Sequence, residues 1–140
     1  MRIAYVLYAA ITFLILGLAL LATTLVLPGV DRRRAAARAV ARGFLWLAGM
    51  PLTVRGLERL APGQCIVVSN HASYLDGLVF TAALPGRFSF VIKREMSAVP
   101  LAGLFLRRIG SEFVERFDRN RSAADARRML RNAASGHSLV

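Results

Sequence analysis

The chain has 140 residues, room for one modest domain. Its apolar fraction is 56%, above the roughly 45–50% of ordinary globular domains. The net charge is +11, carried by arginine with Lys93 the only lysine, and the single cysteine, Cys65, excludes an internal disulfide and a cysteine metal cluster. The charge points to an anionic partner: acidic lipid, a phosphorylated substrate or nucleic acid. An Arg- and Ala-rich composition inherited from a GC-rich genome is the plainer explanation for part of it. Cys65 sits in an apolar run and reads as a small buried residue.

Ala4 to Leu27 carries no charge, and its only polar side chains besides Tyr5 and Tyr8 are Thr12, Thr23 and Thr24. As a helix this run reaches about 36 Å, enough for a hydrocarbon core of about 30 Å with some tilt. A cleaved signal peptide has a shorter apolar core with positive charge ahead of it. Here Asp31-Arg32-Arg33-Arg34 follows the run. Residues 1–30 are therefore expected to be a retained transmembrane anchor. The positive-inside rule places the rest on the cytoplasmic side of the inner membrane, as a single-pass protein.

Residues 31–50 form the next segment. Arg34, Arg38 and Arg42 recur every four residues, nearly opposite Val40, Phe44 and Leu47 on a helix. An arginine face against an apolar face predicts an interfacial helix in the headgroup layer. The competing arrangement is a helix packed on the soluble domain with its arginines in water.

After Pro51 short apolar runs alternate with helical ones. Strands are expected at 52–54, 65–68, 88–92 and 112–114, with a turn at Pro62-Gly63. Helices are expected at 75–84, at 100–108 and, strongly basic, at 122–134, stopping near Gly136. Ser138-Leu139-Val140 reads as the start of a further strand. The alternation predicts a layered α/β domain over 51–140. Glycine-rich phosphate loops and dinucleotide fingerprints are absent.

The stretch SNHASYLDG, residues 69–77, concentrates the chemistry. Ser73 followed by Asp76 has the spacing of a capping box, and on that reading Asp76 serves backbone N–H groups while His71 is a loop residue. The same local turn also allows a dyad. His71 lies before the helix start, so it can fold toward Asp76 in the first turn, where the helix terminus favours an ionised carboxylate. Such a carboxylate fixes the imidazole tautomer and stabilises the imidazolium, leaving a base suited to a hydroxyl. No serine or cysteine elbow is visible, which favours direct proton abstraction over a covalent intermediate.

This block resembles the Asn-His-x-Ser-x-x-Asp motif of the glycerolipid acyltransferase family, the lysophosphatidic acid acyltransferases among them. Gly110-x-x-Phe113-x-x-Arg116 resembles the family's second block, and Lys93-Arg94-Glu95 with Val99-Pro100-Leu101-x-Gly103 resembles the stretch between. The resemblance covers residues 50–140. It implies acyl transfer from acyl-CoA or acyl carrier protein to a lysophospholipid hydroxyl, with His71 as general base and Asp76 its partner. It assigns Arg116 to the acceptor phosphate, with Asn70, Ser73 and Gly110 also in substrate binding. No metal or bound cofactor is implied, and the expected partners are membrane lipid, the acceptor and the acyl donor. The family's third block, a Glu-Gly pair, and its fourth, proline-containing block are not in this sequence. The domain is accordingly expected to be incomplete, with low activity by itself. His137 matches no catalytic position. The alternative function is a non-catalytic, membrane-anchored basic protein binding acidic lipid or nucleic acid. Against nucleic acid, the basic tail has little aromatic interleaving.

Overall fold

The computed structural model describes residues 2–70, 73, 75–115, 119–134 and 138–140; within 119–134 the described side chains are those of 123–125 and 127–131. His71, Arg116, Gly136 and His137 lie outside the described residues. The chain divides into two units, residues 1–55 with 71–84, and residues 56–70 with 85–140.

The first unit is helical. Helix α1 spans Arg2–Val26, α2 spans Val30–Leu47 and α3 spans Leu75–Ala83. Helix α1 is long and apolar enough to cross a membrane by length and composition. It packs along α2, and the contacts run the length of both helices. The Tyr5 hydroxyl donates to the Ala48 carbonyl at 2.7 Å, Phe13 meets Phe44 edge-to-face with centroids 5.4 Å apart, and Arg33 Nε donates to the Leu27 carbonyl at 2.8 Å. These contacts satisfy orphan carbonyls at the C-terminal ends of α2 and α1. Leu20 and Thr24 are buried, and much of the rest of α1 stays open, including Ile3, Val6, Leu14 and Ile15.

Helix α2 buries Ala37, Ala41, Phe44 and Leu45, and Ala48 follows on the same side. Ala41, Phe44, Leu45 and Ala48 form a core with Ala82 of α3, flanked by Leu16, Met50, Leu52 and Leu78. Of the expected apolar residues, Phe44 is in this core. Val40 is only half-buried, and Leu47 is exposed. The buried stripe lies beside the arginines, because alanine lets a neighbouring helix approach closely there. Arg38 and Arg42 exploit that approach. Arg38 Nε and Nη2 donate to the Ala82 and Ala83 carbonyls at 3.3 Å each, and Arg42 Nε donates to Ala82 at 2.8 Å. Two cations thus cap the C-terminus of α3, where charge of that sign is favoured. Neither Arg38 nor Arg42 is simply solvated. The double variant Arg38→Ala/Arg42→Ala is expected to destabilise this unit by about 1.5–3 kcal/mol, the range for hydrogen bonds to a charged group. Thermal melts in detergent check it, with Arg32→Ala as an unchanged control.

Residues 52–54 are not a strand. Their alternation of apolar residues is real, but Leu52 is drawn onto the α2 core instead of a ladder.

The second unit carries the strands: β1 Phe88–Ser89, β2 Val91–Lys93, β3 Glu112–Val114 and β4 Ser138–Leu139. β1 pairs in parallel with β4, β2 pairs in parallel with β3, and Ile66 bridges in parallel to Leu139. Parallel pairing needs crossovers. Helix α4, Ala102–Arg108, links β2 to β3, and α5, Arg119–Ala134, links β3 to β4. The expected strand at 65–68 is reduced to that single bridge, and Cys65 is half-buried. Two 3₁₀ turns, Leu57–Arg59 and Arg94–Ala98, were not foreseen. The second explains Gly103, where a Cβ would collide with the Ser97 carbonyl. The α/β class stands as a mixed fold of helices and parallel strand pairs.

Candidate active site

In the first unit the head of α3 is built by Ser73 and Asp76. The Ser73 N–H donates to Asp76 Oδ2 at 2.9 Å, and the Leu75 N–H donates to Ser73 Oγ at 3.1 Å. The Asp76 N–H reaches the Ser73 carbonyl at 3.1 Å. Orphan donors of the first turn are satisfied by side-chain oxygens, as the spacing of the two residues requires. The carboxylate is thereby fixed at the positive end of a helix. A carboxylate has about four acceptor sites, and the Ser73 amide takes one of them. The cap and the dyad are compatible uses of one side chain.

In the second unit Asn70 is an exposed loop residue. Gly110 ends α4 at φ 72°. Its N–H donates to the Arg107 carbonyl at 3.0 Å, and the Ser111 N–H donates to the Leu106 carbonyl at 3.0 Å. This is the paired hydrogen bonding of a helix stop with glycine in the left-handed position. The glycine of the second block therefore turns the chain from α4 into β3. Gly110→Ala is expected to cost about 1–2 kcal/mol, the penalty for a Cβ at that backbone conformation. Urea denaturation midpoints check it. Of the expected site residues, Ser73 and Asp76 are brought together, and Asn70 and Gly110 belong to the other unit.

Sequence reasoning missed a cluster around Asp125 of α5, which is 3% exposed. Arg94 Nη2 donates to Oδ1 at 3.0 Å and Oδ2 at 2.7 Å, Arg128 Nη1 lies 2.9 Å from Oδ1, and the Glu115 N–H donates to Oδ2 at 2.9 Å. Arg128 Nη2 donates to the Phe113 carbonyl at 2.9 Å, and its Nε lies 3.5 Å from Glu112. The Arg94 bond, then the Glu115 amide, holds the Asp125 carboxyl below the usual carboxylate range against the opposing effect of burial. The same bond raises the Arg94 guanidinium. A depressed carboxyl stabilises the fold fully above its unfolded value of about 3.9, and the contribution is lost as pH falls through the lower folded value. The available signal was Asp125 itself, the only acidic residue in the sixteen of α5.

Parallel strands joined by helices, a helix long and apolar enough to cross a membrane, and a capped first turn at Asp76 define a mixed α/β protein with an apolar N-terminal helix. Residues 51–140 match the family model described as Acyltransferase, and the chain belongs to that family. It is 40% identical over 72 residues to human 1-acyl-sn-glycerol-3-phosphate acyltransferase alpha, covering 51% of this chain and 25% of that protein. Against human 1-acyl-sn-glycerol-3-phosphate acyltransferase beta it is 34% identical over 76 residues, 54% of this chain and 27% of the relative. With the 1-acyl-sn-glycerol-3-phosphate acyltransferase of Borreliella burgdorferi it shares 27% over 103 residues, 73% of this chain and 41% of the relative. The chain thus covers about a quarter of the length of the human relatives. No solved structure matches it.

Proposed function

We propose that this protein transfers a fatty acyl group from acyl-CoA or acyl carrier protein to the hydroxyl of a lysophospholipid such as lysophosphatidic acid, in phospholipid biosynthesis. The observation that carries the reading is the family match over residues 51–140, which contains the block whose Asp76 is held at the head of α3. His71 takes the proton of the acceptor hydroxyl. The oxygen attacks the thioester carbonyl, and the thiolate leaves as the intermediate collapses. Asp76 stabilises the imidazolium, which returns its proton to the thiolate. No metal is needed for these steps. Arg116 holds the acceptor phosphate, which a five-donor fork suits. Asn70, Ser73 and Gly110 shape the acceptor's approach, and the parallel strands form the sheet of a layered α/β domain.

The test is thiol release by the purified full-length protein. Turnover with lysophosphatidic acid well above that with an unphosphorylated monoacylglycerol is expected. Absence of thiol release with every acceptor overturns the reading. Acyl-CoA and acyl carrier protein, compared side by side, identify the donor. Of the arginines of the basic-surface alternative, Arg107 and Arg128 are engaged in internal bonds, while Arg127 and Arg131 are exposed.

The protein is proposed to act at the cytoplasmic face of a membrane, attached through the open face of α1. Contacts between α1 and α2 extend from Tyr5 to Leu27. A complete span by α1 would require α2 to leave it or to carry Arg38 and Arg42 into hydrocarbon, which is costly. We therefore favour the two helices remaining together at the interface, with exposed Trp46 at headgroup level. Labelling of an Ile3→Cys variant, in a Cys65→Ser background, by an impermeant maleimide decides it. Reaction only from the cytoplasmic side is expected, and reaction from the opposite side restores the single-pass arrangement.

A further inference from the structure

We infer that Asp125 is a positioning residue for the acceptor site, fixing the main chain from which Arg116 departs. The inference rests on the proposed role of Arg116 at the acceptor phosphate.

Asp125 is buried, and its two oxygens are shared among partners from different elements. Arg94 follows β2, Glu115 follows β3, and Arg128 lies one turn further along α5. What distinguishes the cluster from an ordinary buried ion pair is its grip on backbone. Asp125 accepts the Glu115 N–H, and Arg128 donates to the Phe113 carbonyl. Both main-chain groups lie in the three residues that precede Arg116. Ion pairs with a buried carboxylate often stabilise no more than apolar residues of the same volume. These bonds instead tie the exit of β3 to a helix at two successive points. Functional side chains reach their positions through such supporting bonds.

The charges point the same way. Among the described residues, Arg94 is engaged by Asp125 and Glu115, and Arg128 by Asp125 and Glu112. A phosphate therefore finds no free cation in Arg94 or Arg128. The cluster orients a neighbouring binder and is not a binder itself.

The experiment is steady-state kinetics of the full-length protein in detergent, with Asp125→Asn, Arg94→Lys, Arg116→Ala and the Asp125→Asn/Arg116→Ala double variant. Asp125→Asn removes the charge that organises both arginines and is expected to raise KM for lysophosphatidic acid about tenfold. Its kcat and its KM for acyl-CoA should stay within about twofold of wild type. Arg94→Lys keeps the charge without the fork and should move the acceptor KM less, in the same direction. It also serves if Asp125→Asn does not fold. The double variant should have the acceptor KM of Arg116→Ala alone, because residues acting through one group are not additive. If Arg116→Ala leaves the acceptor KM unchanged, the phosphate reading fails and takes the inference with it. If Arg116→Ala raises it but Asp125→Asn and Arg94→Lys do not, or raise both substrates' KM equally, the reading stands and the positioning role is overturned.

Discussion

His71→Ala in the full-length protein is expected to lower acyl transfer by about 10²–10⁴-fold, the contribution of a lost general base. Asp76 gives the sharper test because its structural job is visible. It accepts the Ser73 N–H at 2.9 Å, and an asparagine oxygen can accept the same bond. Asp76→Asn therefore keeps the cap and loses only the charge at the helix head, worth about 0.3–1 kcal/mol. Its turnover should nevertheless fall by about 10²-fold or more, since a neutral amide cannot stabilise an imidazolium and can select the wrong tautomer. Asp76→Ala removes both functions and should lose stability as well. The measurements are kcat and melting temperature on the same preparations. An Asp76→Asn protein with near wild-type turnover would reduce the residue to a helix cap.

The elements that sequence alone conveyed are those specified locally. Helix α3 was legible because Ser73 and Asp76 carry the start signal and Pro85-Gly86 the stop. Gly110 was legible only as part of the second block, and its role as the stop of α4 comes from the structure. Residues 52–54 show the limit of periodicity: Leu52 and Val54 alternate like a strand, yet helix packing captures Leu52. On α2 the expected apolar face coincides with the buried side only at Phe44. Bulk hydrophobicity points to Val40 and Leu47, whereas close approach is made by Ala37, Ala41 and Ala48. An alanine stripe carries little hydrophobic signal and much steric permission. The arginines were legible as a face but not as caps, because the Ala82 and Ala83 carbonyls lie some forty residues away in sequence. Asp125 was hidden in the same way, since its partner Arg94 is 31 positions distant. Within the candidate site, the Ser73–Asp76 spacing announced the helix cap, in which Asp76 accepts the Ser73 N–H. It gave Arg116 a role through resemblance alone.

That role yields the second large effect. Arg116→Ala is expected to raise KM for the phosphorylated acceptor by about 10–100-fold, the range for losing hydrogen bonds to a charged partner. KM for acyl-CoA should change little. A contact made equally in ground and transition states alters KM and leaves kcat alone, so kcat is expected to hold within about threefold. Arg116→Lys should recover only part of the loss, because a compact ammonium replaces a planar fork that engages two phosphate oxygens at once. The control comes from α5, whose exposed Arg127 and Arg131 contribute to the same basic field. If Arg116 acted only through general charge, Arg131→Ala would mimic it, and added salt would erase the difference between the two variants. If it binds phosphate directly, Arg131→Ala stays close to wild type and Arg116→Ala remains defective at low and moderate salt alike. Equal rises in KM for acceptor and donor would instead place Arg116 in folding or nonspecific attraction.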